Sequence, residues 1–219
     1  MNEDYLRGIE DFQPFLHRQI TTNKEVIYEG IYQINENVMD KKYSDRFHVR
    51  ICIPKNYPNE VPRIYETTNR LEKCEHKYPD GLLCLELEHN LKSFVRNTPT
   101  PTIVEFLKKY VTAFFTNFAG YEATGKYPFG EYSHNEEGIW EMYQERFKTN
   151  DRNVCFSLLE LVANKSYKGH LFCPCGSNKK IKKCHGQNGR LLNMMHGPDY
   201  SIYKEGYDLL NKRKSKEVR

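Results

Sequence analysis

The stretch CPCGSNKKIKKCHG, residues 173 to 186, constrains this chain more than any other. It is too short and too polar to bury a core of its own, so a fixed fold there needs something other than apolar packing. Cys173, Cys175, Cys184 and His185 supply three thiolates and one imidazole, the composition of a closed structural Zn2+ site. The Cys-x-Cys and Cys-His pairs put two ligands at each end of a short loop, and Gly176 and Gly186 permit tight turns. Metal-binding energy would then substitute for a hydrophobic core. Four ligands leave no open coordination position, so the expected ion is structural and not catalytic. Free surface thiols are the plain alternative.

The rest of the chain has material for an ordinary core. Of its 219 residues 38% are hydrophobic, with 12 Phe, 16 Tyr and 1 Trp, which favours a folded protein over a disordered one. No run approaches the ~20 apolar residues of a membrane span. The start, MNEDYLRGIEDFQPFL, is acidic and polar and does not read as a signal peptide. Seven cysteines, an odd number, without an export signal point to a reducing cytoplasm. They are expected to be metal ligands, a nucleophile or core residues, with Cys52 on a strand and Cys155 on a helix simply packed. Charge is unevenly placed: from Lys165 onward there are 13 Lys and Arg against 4 Asp and Glu, while the whole chain is only +4. That basic end suits nucleic acid or an acidic partner, or is a solvated tail.

Periodicity orders the elements. Tyr5, Ile9, Phe12, Phe15 and Leu16 predict a helix over 4–19 with Pro14 as a bend or break. EVIYEGIYQIN (25–35), DRFHVRICIP (45–54) and PRIYETT (62–68) predict three strands in an antiparallel meander, with NENVMDKKYS as a polar turn. Segment 69–100 has no clear period. Ile103, Phe106, Leu107, Tyr110, Val111, Phe114, Phe115 and Phe118 then form a long helical stripe, with Thr102 as its N-cap and Gly120 at its close. Further helices are expected over about 137–148, 152–164 and 200–212. This order predicts an α+β fold, with a domain over 1–150 and a helical extension with its metal module over 151–219.

Within the irregular segment lies HKYPDGLLCLEL, where Cys84 follows an Asp-Gly turn and His76 stands eight residues before it. A lone Cys between Leu83 and Leu85 is either a core residue or a nucleophile held on a fixed loop. Tyr57, Pro58, Pro62, Thr67, His76, Gly81 and the LLCLEL run follow the order found in ubiquitin-conjugating enzymes, and residues 4–148 resemble that family. The resemblance implies a ubiquitin-conjugating-like fold, with Cys84 carrying an acyl group as a thioester; a free thiol is only a few per cent thiolate at neutral pH, and His76 is expected to tune or position it. It also implies an activating enzyme and a ubiquitin-like or other protein with a C-terminal glycine as partners. A thioester carrier needs one accessible thiol and no full triad, since its acyl group arrives activated. The terminal stretch similarly resembles the SEC-C zinc motif of the bacterial preprotein translocation ATPase, an interaction module, which implies a recruited partner.

The chain departs from the conjugating family in one respect: His76-Lys77-Tyr78 stands where the family has His-Pro-Asn, and the His-to-Cys spacing is shorter. In this it looks more like the bacterial relatives associated with antiphage operons. The loop GKYPFGEYSHNEEG is expected to complete the site, with His134 as a second histidine beside Glu131. Three other readings stay open: a non-catalytic adaptor of the same fold, a zinc-stabilised nucleic-acid binder, and Cys74, His76 and Cys84 as ligands of a further metal.

Overall fold

The computed structural model describes residues 3–38, 40–72, 74–130 and 135–217, and the chain divides into two compact units, Met1–Glu131 and Tyr132–Arg219. The first is α+β. Its four strands β1 (Leu16–Thr21), β2 (Glu25–Val38), β3 (Lys41–Pro54) and β4 (Arg63–Glu66) form one antiparallel sheet in sequence order. Every connection is therefore to a neighbour, as short polar turns dictate.

Alternation along β2 and β3 decides which face is covered. Val26, Tyr28, Tyr32 and Ile34 face the same way as Phe47, Val49, Ile51 and Ile53, and all are buried. The opposite face carries the ion pairs Glu29–Arg50 and Glu25–Arg63 instead. Against the buried face lies one long helical run: α3 (Ile103–Phe106), a π turn (Leu107–Thr112) and α4 (Ala113–Thr124). Thr102 caps it in a reciprocal box with Glu105, as its sequence suggests. Phe115 stacks on Phe47 at 4.1 Å between ring centroids.

The π turn shifts the helix face. A residue inserted at constant direction rotates everything beyond it by about 100°. Phe114, expected in the core stripe, is consequently half-buried, while Thr112 and Thr116 are buried. The buried Tyr32 hydroxyl donates to the Leu107 carbonyl (3.2 Å) and pairs with Thr112 Oγ1 (2.8 Å), using polar groups that the turn brings to the sheet.

Other differences from the sequence reading have local causes. The helix expected over 4–19 is a 3-10 turn (Glu3–Leu6) and a single turn α1 (Ile9–Phe12), and beyond Pro14 the chain becomes strand β1. Proline's missing donor ends the helix there, and the following residues pair with β2. NENVMDKKYS is mostly strand, since β2 and β3 run on to Val38 and from Lys41. The irregular segment contains α2 (Glu88–Asn97), and the long helix continues past Gly120 to Thr124, where Gly125 at φ 70° ends it.

The second unit is helical: α5 (Asn135–Phe147), α6 (Arg152–Ala163), α7 (Arg190–His196) and α8 (Tyr200–Glu217). Helix α5, assigned by its sequence position to the domain 1–150, belongs to this unit. Asp151 caps α6 by accepting from Asn153 N and Val154 N. Tyr143, Phe147, Cys155, Leu158, Leu159 and Leu191 fill its core, and Tyr143 donates to the Ile202 carbonyl at 2.6 Å. Cys52 and Cys155 are both buried. Among the described residues, no helix is long and apolar enough to cross a membrane.

Tyr32→Phe is expected to lower stability by about 1 kcal/mol, the net value of a buried hydrogen bond. Phe47→Ala, which empties the stack with Phe115, should cost about 3–5 kcal/mol. Urea unfolding of the two variants beside the parent protein checks both.

Candidate functional site

Beyond β4 the chain makes a tight hairpin whose geometry sorts its residues into two sets. Tyr78-Pro79-Asp80-Gly81 is the turn: Gly81 N donates to Tyr78 O (2.9 Å), and Leu82 N to Asp80 Oδ1 (3.1 Å). Gly81 has φ 88°, and a Cβ there would stand 2.9 Å from the Glu66 carbonyl oxygen, so both conformation and space call for glycine. On either side, Tyr78 N donates to Leu82 O and Cys84 N to His76 O, both at 2.8 Å, and Lys77 lies opposite Leu83. The hairpin is fastened to β4 by Leu83 N to Ile64 O and Glu66 N to Gly81 O.

In an antiparallel pair, directly opposed residues share a face and successive ones alternate. Lys77 and Leu83 therefore point to one side, and His76 and Cys84 to the other. The inner side is dry. Leu83 is buried, and Lys77 Nζ meets Glu66 Oε2 at 2.9 Å with side-chain exposures of 13% and 1%. The Glu66 carboxylate also accepts from Thr68 N (2.7 Å) and from the Thr68 hydroxyl. On the outer side His76 and Cys84 are half-buried. Cys84 lies between two leucines along the chain, yet it occupies the hairpin's outer face as the direct neighbour of His76.

The loop after α4 reaches this face. Tyr127 meets the His76 ring edge-on at 6.1 Å and stacks on Tyr121 at 4.5 Å. Asn117 holds the loop from both ends of its amide, donating to Gly130 O and accepting from Phe129 N, each at 2.9 Å. Pro128 lies so close over Gly120 that a Cβ there would come within 2.2 Å of it. The loop thus does approach the hairpin, through Tyr127. His134 and Glu131 lie outside the described residues. Sequence reasoning passed over Tyr127, Asn117 and the Glu66–Lys77 pair. A glutamate at an inward position of a strand, in register with the buried Ile64, was the one available signal.

The second unit holds the terminal cluster. Phe172 pairs with Lys180, Cys173 N donates to Lys179 O (2.8 Å), and Gly176 turns the chain at φ 71°. The buried Ile181 then anchors a 3-10 turn, its carbonyl accepting from Cys184 N and Gly186 N at 2.9 Å. Gly186 has an ordinary φ of −93°; it is required for space, since a Cβ would stand 2.8 Å from the Tyr167 hydroxyl. The donor atoms of Cys173, Cys175, Cys184 and His185 all lie within 4.8 Å of one another. Cys175 Sγ to Cys184 Sγ is 3.5 Å, and His185 Nδ1 lies 3.1 Å from Cys173 Sγ and 3.4 Å from Cys184 Sγ. A tetrahedral ion at thiolate and imidazole bond lengths spaces its ligands by about 3.5–3.8 Å, so the cluster fits a metal ion. Among the described residues it is the one group of Cys, His, Asp and Glu so placed, and Cys74, His76 and Cys84 do not form another.

Without metal the thiols differ. Burial pushes Cys173 up to about 11, whereas the Ser177 hydroxyl stabilises the Cys175 thiolate and brings it down to about 7. Burial also lowers His185, favouring the neutral, ligating imidazole. Metal binding must then expel the Cys173 proton, and affinity rises with pH.

A comparison with known proteins found no family model that matches the chain and no matching curated relative.

Two outcomes are expected. Purified protein should hold one metal ion per chain by elemental analysis and lose it on Cys184→Ser, with affinity falling as pH drops below about 11 as Cys173 takes up its proton, and more steeply below about 7 as Cys175 does too. Glu66→Ala, which strands the Lys77 ammonium in a dry site, should cost about 3–5 kcal/mol in urea unfolding.

Proposed function

We propose that the first unit is a ubiquitin-conjugating-like transferase and that Cys84 carries an acyl group as a thioester. The observation that carries this reading is the pairing of Cys84 with His76 on the outer face of a hairpin whose inner face is fixed by Glu66 and Lys77. A four-stranded meander precedes the hairpin and a long helix packs on the sheet, in the order the resemblance implies.

In the first step the Cys84 thiolate attacks the carbonyl carbon of an activated C-terminal glycine, held as a thioester on an activating enzyme. That enzyme's sulfur leaves with the electron pair. In the second, an amine nitrogen attacks the Cys84 thioester carbon, the amine proton passes to a base, and the Cys84 thiolate departs. The imidazole of His76, beside Cys84 across the hairpin, would accept a proton from the thiol or orient the approaching amine. Lys77, standing where the family has proline, is committed to Glu66 and takes no part. The family's asparagine is replaced by Tyr78, so the oxyanion of the second step needs a different donor.

The second unit is read as a structural zinc module that recruits a partner. Three thiolates and an imidazole are a closed zinc set, and zinc there would hold the loop without contributing an open position. The replacement of asparagine by Tyr78 favours one other reading, an adaptor of the same fold that has lost its chemistry.

The test is an adduct on a non-reducing gel. With an active activating enzyme, a protein bearing a C-terminal glycine and ATP-magnesium, a higher-mass band is expected that thiol reductant removes and Cys84→Ala abolishes. His76→Ala should keep the adduct but slow its discharge to amines by about 10²-fold or more, the usual contribution of a positioned acid or base. A partner shown to be active that yields no adduct would leave the adaptor reading in its place.

A further inference from the structure

We propose that the second unit binds the C-terminal carboxylate of a peptide in a cavity beside α7, and that Arg190 is the group that holds it. The cavity has a volume of about 430 Å³ and is lined by Arg190, Asn188, Asn193, Met194, Asp199 and Tyr203, among others. That volume is at the low end of the range for small-ligand sites, about 300–1,000 Å³, which suits a chain end and not a folded surface.

Arg190 is the anomaly. Its side chain is half-buried, yet its guanidinium makes no hydrogen bond or ion pair among the described residues. A guanidinium with no acceptor of its own is available to a ligand that brings one, and the bonds it then makes are charge-assisted. A carboxylate fits it well, because the planar fork of N–H donors matches two carboxylate oxygens.

The remaining lining narrows the ligand. Asn188 and Asn193 make no side-chain hydrogen bonds among the described residues, and each amide can donate and accept together, as a peptide backbone requires. Met194, half-buried, offers a polarisable apolar surface to a side chain. Tyr203 is already held, its hydroxyl accepting from Arg146 at 3.1 Å, and it acts as a fixed wall. Asp199 on the same rim opposes the repeated charges of a nucleic-acid backbone, and a single carboxylate on Arg190 must bind on the side of the guanidinium away from it. This inference names the chemistry of a recruited partner and is independent of the reaction at Cys84.

The test is a nitrogen-15 NMR titration of full-length, metal-loaded protein, read at the Arg190 Nε–H resonance. Three probes are used: N-acetyl-trialanine as the free acid, the same peptide as its C-terminal amide, and N-acetyl-Ala-Glu-Ala-amide. The free acid is expected to shift the resonance saturably. The trialanine amide should bind about tenfold or more weakly, the loss expected when a charged hydrogen-bonded pair is removed. Arg190→Gln should weaken the free acid similarly, and Arg190→Lys should fall between. Absence of a saturable shift, or equal binding of free acid and amide, overturns the proposal. A glutamate peptide as strong as the free acid overturns the assignment to a chain end in favour of an acidic side chain. Should Arg190→Gln disturb the fold of the unit, the acid-against-amide comparison on unaltered protein decides alone. Cys84→Ala, which leaves this cavity untouched, should bind the free acid as the parent does, so failure here and failure of thioester chemistry are read separately.

Discussion

One carboxylate organises the first unit around its hairpin. Glu66 ends β4 with its side chain turned into the protein, where it holds the Lys77 ammonium and two donors of Thr68. Removing two charges from water costs several kcal/mol per ion, so such a pair persists only where geometry lets each satisfy the other. With Lys77 drawn inward, alternation leaves its neighbour His76 no choice of side. Cys84, opposite His76, follows. The position of the thiol is therefore set by a salt bridge it does not touch, and by the turn at Gly81 that sets the register between the two arms.

The sheet and helix behind this site meet through a comparable exchange of polar for apolar constraint. Burial pushes the Tyr32 hydroxyl's acidity far down, so it stays protonated and serves as a donor to the Leu107 carbonyl. The π turn is where the helix offers that carbonyl and the Thr112 hydroxyl to the sheet. Among its described residues the second unit has no such sheet. Its Cys/His loop hangs on Ile181 and on a close approach to Tyr167.

Much of this was legible in the sequence where periodicity is strong. The alternation of Phe47, Val49, Ile51 and Ile53 identifies β3 and its buried face, and Thr102 with Glu105 marks the start of the long helix. The four candidate ligands of the terminal stretch could be named from their spacing, and the structure brings their donor atoms together. Other features depend on distant partners. Leu16 to Thr21 are strand because β2 is there to receive them. The π turn left no trace in a stripe that reads as regular helix, and its effect is visible only in the exchange of Phe114 for Thr112 and Thr116. Tyr127 was hidden because aromatic residues in a Gly- and Pro-rich loop read as ordinary surface, and only the fold brings it to His76.

The loop that carries Tyr127 is tied at Asn117, pressed on Gly120 through Pro128, and stacked on Tyr121. A segment fastened at three places is a wall and not a gate. It cannot swing shut over a bound partner to exclude water, as the lids of many enzymes do. If Cys84 carries the proposed thioester, traffic at the adjoining face is then governed by what arrives and in which order.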